Sequence, residues 1–303
     1  MDRHTVLEAA EGGGLGAASS VSADYMSRTP QSSHAERRPH FVAASGGTRL
    51  FVQDWGSGRP IVLLSPWTLN SDIWGTHIAA LTARGFRCVA PDRRGHGRSE
   101  ISTGGYDLDT LADDVASVIE QLDLQQVILV AYSLGASEAV KYLERHGSAR
   151  ISRLVLYAPG TPFLLKAEDN PDGIPPAAAE AQFRAVARDF PKWIADYEAP
   201  FFTADTIPET RAWIKSMMVS VPLPVVLATL NAPDLRSAVA GISVPTLIIQ
   251  GDKDASNPLP ITGAKTARLM SDCKLVVVEG APHALILTHR ERCLDELLSF
   301  LGA

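Results

Sequence analysis

Val127-Ile128-Leu129-Val130-Ala131-Tyr132-Ser133-Leu134-Gly135-Ala136 decides how this chain is read. A short apolar run, expected to be a buried strand, leads into a serine flanked by small residues, and a helical pattern starts at once. This strand-turn-helix layout is that of a nucleophile elbow, G-x-S-x-G, with alanine at the first glycine position. Such a turn holds its serine in a strained conformation, and bulky residues two before or two after it would collide. Ala131 and Gly135 meet that demand.

A serine hydroxyl is a weak nucleophile at neutral pH and needs a base, which in turn needs an orienting acid. In elbow-bearing chains the order is serine, acid, histidine. Downstream of Ser133 stand His146, His283 and His289. His146 falls near the expected C-terminus of the helix after the elbow, where a polar or cationic side chain is ordinary. His283 follows a strand-like run, Lys274 to Glu279, and the loop Gly280-Ala281-Pro282, so it is placed to reach a serine at a neighbouring strand's carboxyl end. His289 reads as a structural residue inside the final helix.

The acid comes from Val244-Pro245-Thr246-Leu247-Ile248-Ile249-Gln250, another short buried strand, followed by Gly251-Asp252-Lys253-Asp254. Asp252 sits at the strand end, where a short carboxylate commonly accepts from backbone donors in the turn. Asp254 lies further into the loop, freer to aim at His283, and is favoured. The strand after the elbow helix, Leu154 to Tyr157, ends in Ala158-Pro159-Gly160 and offers no carboxylate. Negative charge developing on a substrate carbonyl needs backbone N–H donors. Leu134, directly after the serine and at a helix N-terminus, is one candidate. The second lies in Ser65-Pro66-Trp67-Thr68-Leu69, after the strand Arg59 to Leu64. Pro66 has no N–H; Trp67 does.

Several further stretches carry a likeness: Ala90-Pro91-Asp92-Arg93-Arg94-Gly95-His96-Gly97-Arg98-Ser99, Asp169-Asn170-Pro171-Asp172-Gly173, Glu198-Ala199-Pro200-Phe201-Phe202, and Gly280-Ala281-Pro282-His283 with Thr288-His289. With the elbow, these resemble the α/β-hydrolase superfamily, more narrowly its cofactor-free bacterial haloperoxidase, aryl esterase and perhydrolase branch, over roughly residues 40 to 303. The resemblance implies Ser133, Asp254 and His283 as catalytic triad, no cofactor, and perhydrolysis as a side activity. This chain departs from the family at Ser65-Pro66, where His-Gly usually precedes the oxyanion tryptophan, and at Ala131, where glycine is usual. Hydrolysis is expected to survive with an altered loop shape.

The 303 residues, 46% apolar and 20% charged, fit one ordinary globular α/β domain with an insertion. A net charge of −6 argues against a nucleic-acid partner, which needs a basic surface. Arg93, Arg94 and Arg98 read as turn residues in structural ion pairs. Cys88, Cys273 and Cys293 show no metal-ligand spacing, and no metal is expected; Cys88 and Cys293 read as core residues in a reducing, cytoplasmic setting. No apolar run reaches the ~20 residues of a membrane span. Residues 1–38, rich in Gly, Ala and Ser, are expected to be a disordered extension, with Met26 as an alternative start.

The expected fold is α/β: a mostly parallel eight-stranded sheet flanked by helices, with a helical cap. Strands are expected near 41–44 and 50–54, an antiparallel pair, then 61–64, 86–90, 127–131, 153–157, 244–250 and 274–278. Helices are expected near 71–84, 107–122, 135–146, 259–270 and 284–301. The clearest is 107–122, where Leu108, Leu111, Val115, Val118, Ile119 and Leu122 recur at three- and four-residue steps. Residues 39–160 and 241–303 form the expected core, and 161–240 the cap. That insertion holds Phe163, Phe183, Phe190, Trp193, Tyr197, Phe201, Phe202, Trp213, Met217 and Met218. Most are expected in the cap's own core, and some over the serine with Trp67 and Leu134, giving an apolar or aromatic small-molecule pocket.

The leading expectation is a cofactor-free serine hydrolase of carboxylic esters or lactones. A C–C bond hydrolase using the same triad is the alternative, and a non-catalytic ligand-binding receptor the second. Epoxide hydrolase and haloalkane dehalogenase readings are disfavoured, since those relatives carry aspartate at the position of Ser133. The oligomeric state is left open between monomer and homo-oligomer.

Overall fold

The computed structural model describes residues 38–303. The expected disorder over 1–38 and the alternative start at Met26 lie, apart from Arg38 itself, outside the described residues. In chain order the strands are β1 (Phe41–Ala43), β2 (Arg49–Gly56), β3 (Arg59–Leu64), β4 (Phe86–Pro91), β5 (Val127–Tyr132), β6 (Ile151–Tyr157), β7 (Thr246–Gly251) and β8 (Cys273–Val278). The helices that alternate with the first six are α1 (Gly75–Thr82), α2 (Leu108–Gln121) and α3 (Leu134–His146). Between β6 and β7 come α4 (Pro176–Arg188), α5 (Phe190–Phe201), α6 (Pro208–Ser220), α7 (Leu223–Thr229) and α8 (Arg236–Ala240). α9 (Gly263–Leu269) precedes β8, and α10 (Leu285–Thr288) and α11 (Arg290–Leu301) close the chain.

The strands form one eight-stranded sheet in the order β1-β2-β4-β3-β5-β6-β7-β8. β2 runs antiparallel to β1 and β4, and every other pair is parallel. Strand side chains alternate between faces. Along β5, Ile128, Val130 and Tyr132 enter one apolar cluster and Val127, Leu129 and Ala131 the other. All six are essentially fully buried. That is why β5 reads as a continuous apolar run: a parallel strand covered on both faces has no wet side. Full burial of a Val, Leu or Ile side chain stabilises by roughly 1.5–3 kcal/mol.

α2 lays Leu108, Val115, Val118 and Ile119 against the second cluster and also buries Leu111. Asp107 caps its start by accepting from the Thr110 N–H at 2.9 Å. The three arginines near β4 each meet a carboxylate: Arg93 with Glu138, Arg94 with Asp114 at 2.6 Å, Arg98 with Asp92 at 3.0 Å. Cys88 and Cys293 are buried, and all three cysteines are free. Among the described residues no single helix is long and apolar enough to cross a membrane.

Three expected helices are broken in the structure. Residues 71–74 form a 3-10 turn before α1. The expected helix 259–270 is a 3-10 turn over Leu259–Ile261 and then α9, split where Thr262 turns its hydroxyl to the carbonyl oxygen of Asn257 at 3.1 Å. The expected helix 284–301 splits into α10 and α11 at His289, whose φ of −125° and ψ of 40° leave the helical region.

Parallel strands send their carboxyl ends to one edge. Strand order reverses between β3 and β5, leaving a crevice there, the usual location of a site in such sheets. The loop after β3, the elbow after β5, and the loops after β7 and β8 all open on that edge.

Candidate active site

Ser133 occupies the turn between β5 and α3 with φ 54° and ψ −113°. This costs on the order of 1–3 kcal/mol and persists only where the surroundings over-determine it. Here the Ser133 N–H donates to the Tyr157 carbonyl on β6 at 2.9 Å, and the Ser133 carbonyl accepts from Ala136 N–H at 2.9 Å. The small-residue rule is visible at Gly135: a Cβ there would lie 2.6 Å from the Leu64 carbonyl oxygen. Ala131, the departure from glycine, is accommodated in the second apolar cluster without exposure.

The imidazole of His283 reaches Ser133, with Nε2 3.0 Å from Oγ. Its Nδ1 lies 2.9 and 3.0 Å from the two carboxylate oxygens of Asp254. A carboxylate only accepts, so the ring proton sits on Nδ1 and Nε2 is left to accept from the serine hydroxyl. Asp254 is fixed in turn, its Oδ1 accepting from the N–H groups of Ser256 at 3.0 Å and Asn257 at 2.9 Å. Asp254 and His283 are 4% and 5% exposed, so their pairing is shielded from water. The structure thus brings together Ser133, Asp254 and His283, from three separate strand ends.

The competitors lie elsewhere. Asp252 accepts from the Gly280 N–H at 2.7 Å and so braces the loop that carries His283. The two loops meet so closely that a Cβ on Gly251 would sit 1.9 Å from the Ala281 carbonyl oxygen. His146 pairs with Asp113 at 2.7 Å on the outer surface. His289 sits at the α10–α11 break, 2.9 Å from the Thr288 hydroxyl.

Leu134 opens α3, so its N–H has no intrahelical acceptor and lies at the positive end of the helix dipole. Trp67 and Leu134 both line the same cavity as Ser133 and His283. The Trp67 ring is anchored, its Nε1–H donating to the Thr229 hydroxyl at 3.1 Å and its face meeting Trp193 edge-on at 5.5 Å. An imidazole and a hydroxyl so arranged can draw a proton from an alcohol oxygen.

Sequence reasoning missed how the Ser65-Pro66 loop is held. Arg93 donates to the Ser65 carbonyl at 2.6 Å and to the Pro66 carbonyl at 3.2 Å, and pairs through Nε with Glu138 of α3. Both partners are buried. Burial raises the Glu138 carboxyl above the usual range and Arg93 opposes it. One arginine therefore ties the Trp67 loop to the elbow helix. Arg93→Leu strands Glu138 without a partner and should lower stability by about 3–5 kcal/mol in urea unfolding. Adding Glu138→Leu should recover most of that loss, since removing both charges also removes the burial penalty. An Arg93→Leu protein as stable as wild type would show that the pair is not what holds the loop.

Over the site lies a cavity of about 590 Å³. Its roof comes from the α4–α8 insertion: Phe183, Trp193, Tyr197, Phe201 and Met218 face it. Trp193, Tyr197 and Phe201 follow one another at four-residue steps on α5, and the Trp193 and Tyr197 rings stack at 4.8 Å. The Phe201 ring lies 5.6 Å from that of His283. Phe190, Phe202 and Met217 are buried instead in the apolar cluster, and Trp213 is exposed.

Comparison with known proteins places these features in context. Residues 61–296 match the model of the alpha/beta hydrolase family. The chain is 34% identical over 267 residues to a non-heme chloroperoxidase of Kitasatospora aureofaciens, covering 84% of this chain and 97% of that one. It is 31% identical over 272 residues to a bifunctional esterase/perhydrolase of Acinetobacter calcoaceticus, covering 86% and 99%. Among solved structures, an esterase from Exiguobacterium antarcticum superposes with a TM-score of 0.84 at 29% identity, covering 88% of this chain and 100% of that one.

Proposed function

The chain belongs to the alpha/beta hydrolase family, and from that membership we propose that it is a cofactor-free serine hydrolase cleaving carboxylic esters or lactones of apolar or aromatic substrates. The observation that carries this reading is the continuous relay from Asp254 through His283 to Ser133, with contacts of 2.9 and 3.0 Å, at the floor of an apolar cavity. Names of relatives support it: the Acinetobacter protein is both esterase and perhydrolase, and the superposable structure is an esterase.

In the proposed reaction the ester carbonyl sits against Ser133 with its oxygen toward the N–H groups of Trp67 and Leu134. His283 takes the Ser133 proton as Oγ bonds to the carbonyl carbon and the carbonyl electron pair moves to oxygen. Asp254 steadies the charged imidazole. The tetrahedral adduct collapses, the bond to the leaving alcohol breaks, and His283 protonates that alcohol. A water then repeats the sequence on the acyl-enzyme and releases the acid. Hydrogen peroxide taking the place of that water would give a peracid, the proposed side activity.

Cavity size and lining set the expected preference. Each buried CH₂ contributes about 0.8 kcal/mol, roughly fourfold in a rate constant. p-Nitrophenyl butyrate, two CH₂ groups longer than acetate, should therefore have about fifteenfold higher kcat/KM than the acetate ester. A screen of aryl and alkyl esters, lactones and 1,3-diketones checks this. Turnover of diketones with none of esters would move the assignment to C–C hydrolysis, and no turnover at all would favour a binding protein.

A further inference from the structure

Asn257 is a polar side chain beside Ser133 that the proposed reaction leaves unused. It lies in the loop after β7, three residues beyond Asp254, and is only 6% exposed. Its backbone N–H donates to Asp254 Oδ1 at 2.9 Å and its carbonyl accepts from the Thr262 hydroxyl at 3.1 Å, so it is locked to the acid's own loop. Its side-chain amide lies 2.8 Å from the Ala158 carbonyl oxygen. A carbonyl cannot donate, so this contact fixes the amide with Nδ2 toward Ala158. Ala158, at the end of β6, holds φ at 41°, a left-handed conformation unfavourable for a residue with a Cβ. The second hydrogen on Nδ2 is directed at Ser133 Oγ, 3.5 Å away, on which His283 already takes the hydroxyl proton. A contact of that length is weak in the free site. Catalytic hydrogen bonds commonly tighten only once a substrate is engaged.

We infer that Asn257 is a catalytic residue of the second half-reaction, its amide N–H stabilising the Ser133 oxygen as that oxygen leaves the acyl group. The inference rests on the acyl-enzyme reading above. During acylation the Ser133 proton passes to His283 while an Oγ lone pair forms the new bond; a donor to Oγ competes for electron density there and gives no help. During deacylation water attacks the acyl carbon, its proton passes to His283, and the bond from carbon to Oγ breaks with the electron pair going to Oγ. His283 then returns the proton to Oγ. Negative charge collects on Oγ before that proton arrives, and Asn257 is placed to hydrogen-bond it. Hydrogen bonds to charged groups are the stronger kind, so the donor acts at this step and not at the first.

The test is steady-state and acid-quench kinetics with p-nitrophenyl butyrate on the full chain. Asn257→Ala should lower kcat about tenfold and KM in parallel, with kcat/KM within about threefold of wild type. Mass spectrometry of the quenched protein should show a larger butyryl fraction on Ser133 than in wild type. If the alanine variant does not fold, Asn257→Ser serves: its hydroxyl is one bond too short to reach Ser133, and the same pattern is expected. An unchanged kcat in a variant that melts like wild type overturns the inference. So does an equal fall of kcat and kcat/KM without acyl build-up, the signature of a merely misplaced nucleophile. Turnover by both proteins with no butyryl adduct on either would instead overturn the acyl-enzyme reading, and the inference with it.

Discussion

Ser133→Ala is expected to lower kcat on a p-nitrophenyl ester by about a millionfold, the largest effect of any single substitution in this protein. The size follows from chemistry rather than from lost packing. Ser133 is half-buried at the cavity floor, and alanine removes one oxygen without opening a void worth the name. It also relieves nothing in the backbone, since alanine at φ 54° meets the same steric cost as serine. Stability should therefore stay within about 0.5 kcal/mol of wild type. Only the atom proposed to bond to the acyl carbon is gone. The proposed N–H donors of Trp67 and Leu134, and the cavity, should keep a residual rate about 10³–10⁴ above the reaction in water. Retention of more than a tenth of the wild-type turnover would mean that another group performs the attack.

Asp254→Asn should cost about 10⁴ in kcat. Asparagine preserves the shape, and its Oδ1 can still accept from the N–H groups of Ser256 and Asn257. It replaces one carboxylate oxygen beside His283 Nδ1 with an NH₂ group, which cannot accept from Nδ1–H. The ring is then driven toward the tautomer with its proton on Nε2, and Nε2 can no longer accept from Ser133. Stabilisation of the imidazolium is lost as well. Asp252→Asn is the matched control. Asp252 uses one oxygen to accept from Gly280 N–H at 2.7 Å, and asparagine can do the same. Its effect should stay within about threefold. Measuring kcat for both variants decides the acid, and a silent Asp252→Asn protein beside an active Asp254→Asn protein would reassign it.

How much of this was legible in the sequence depended on whether a feature is local. The elbow is local: β5 is apolar because both its faces are covered, and Gly135 is small because the Leu64 carbonyl crowds it. Both facts leave marks within ten residues. Choosing Asp254 over Asp252 rested on loop position, and the structure gives each a distinct partner that accounts for both carboxylates. Helix ends were read less well. Apolar spacing across 284–301 continues through His289, because side-chain periodicity says little about a single residue leaving helical φ and ψ. The hold of Arg93 on the Ser65-Pro66 loop was not legible, because its partners come from the loop after β3 and from α3, 27 to 45 residues away in sequence. Arg93 looked like a turn residue in an ion pair, which it is; its grip on two carbonyls of the loop before Trp67 needed coordinates. Asn257 left no pattern, since its significance lies in a side-chain contact to a residue 124 positions away.

The most direct single measurement is the rate and position of labelling by a serine-directed fluorophosphonate, read by peptide mass spectrometry on wild type and on His283→Ala. An activated Ser133 should carry the only stoichiometric adduct in wild type, and loss of the imidazole 3.0 Å away should slow its formation by at least about a thousandfold while the protein melts unchanged. An adduct on a different residue, no adduct, or equal labelling of Ser133 with and without the imidazole would contradict the relay from Asp254 through His283 to Ser133.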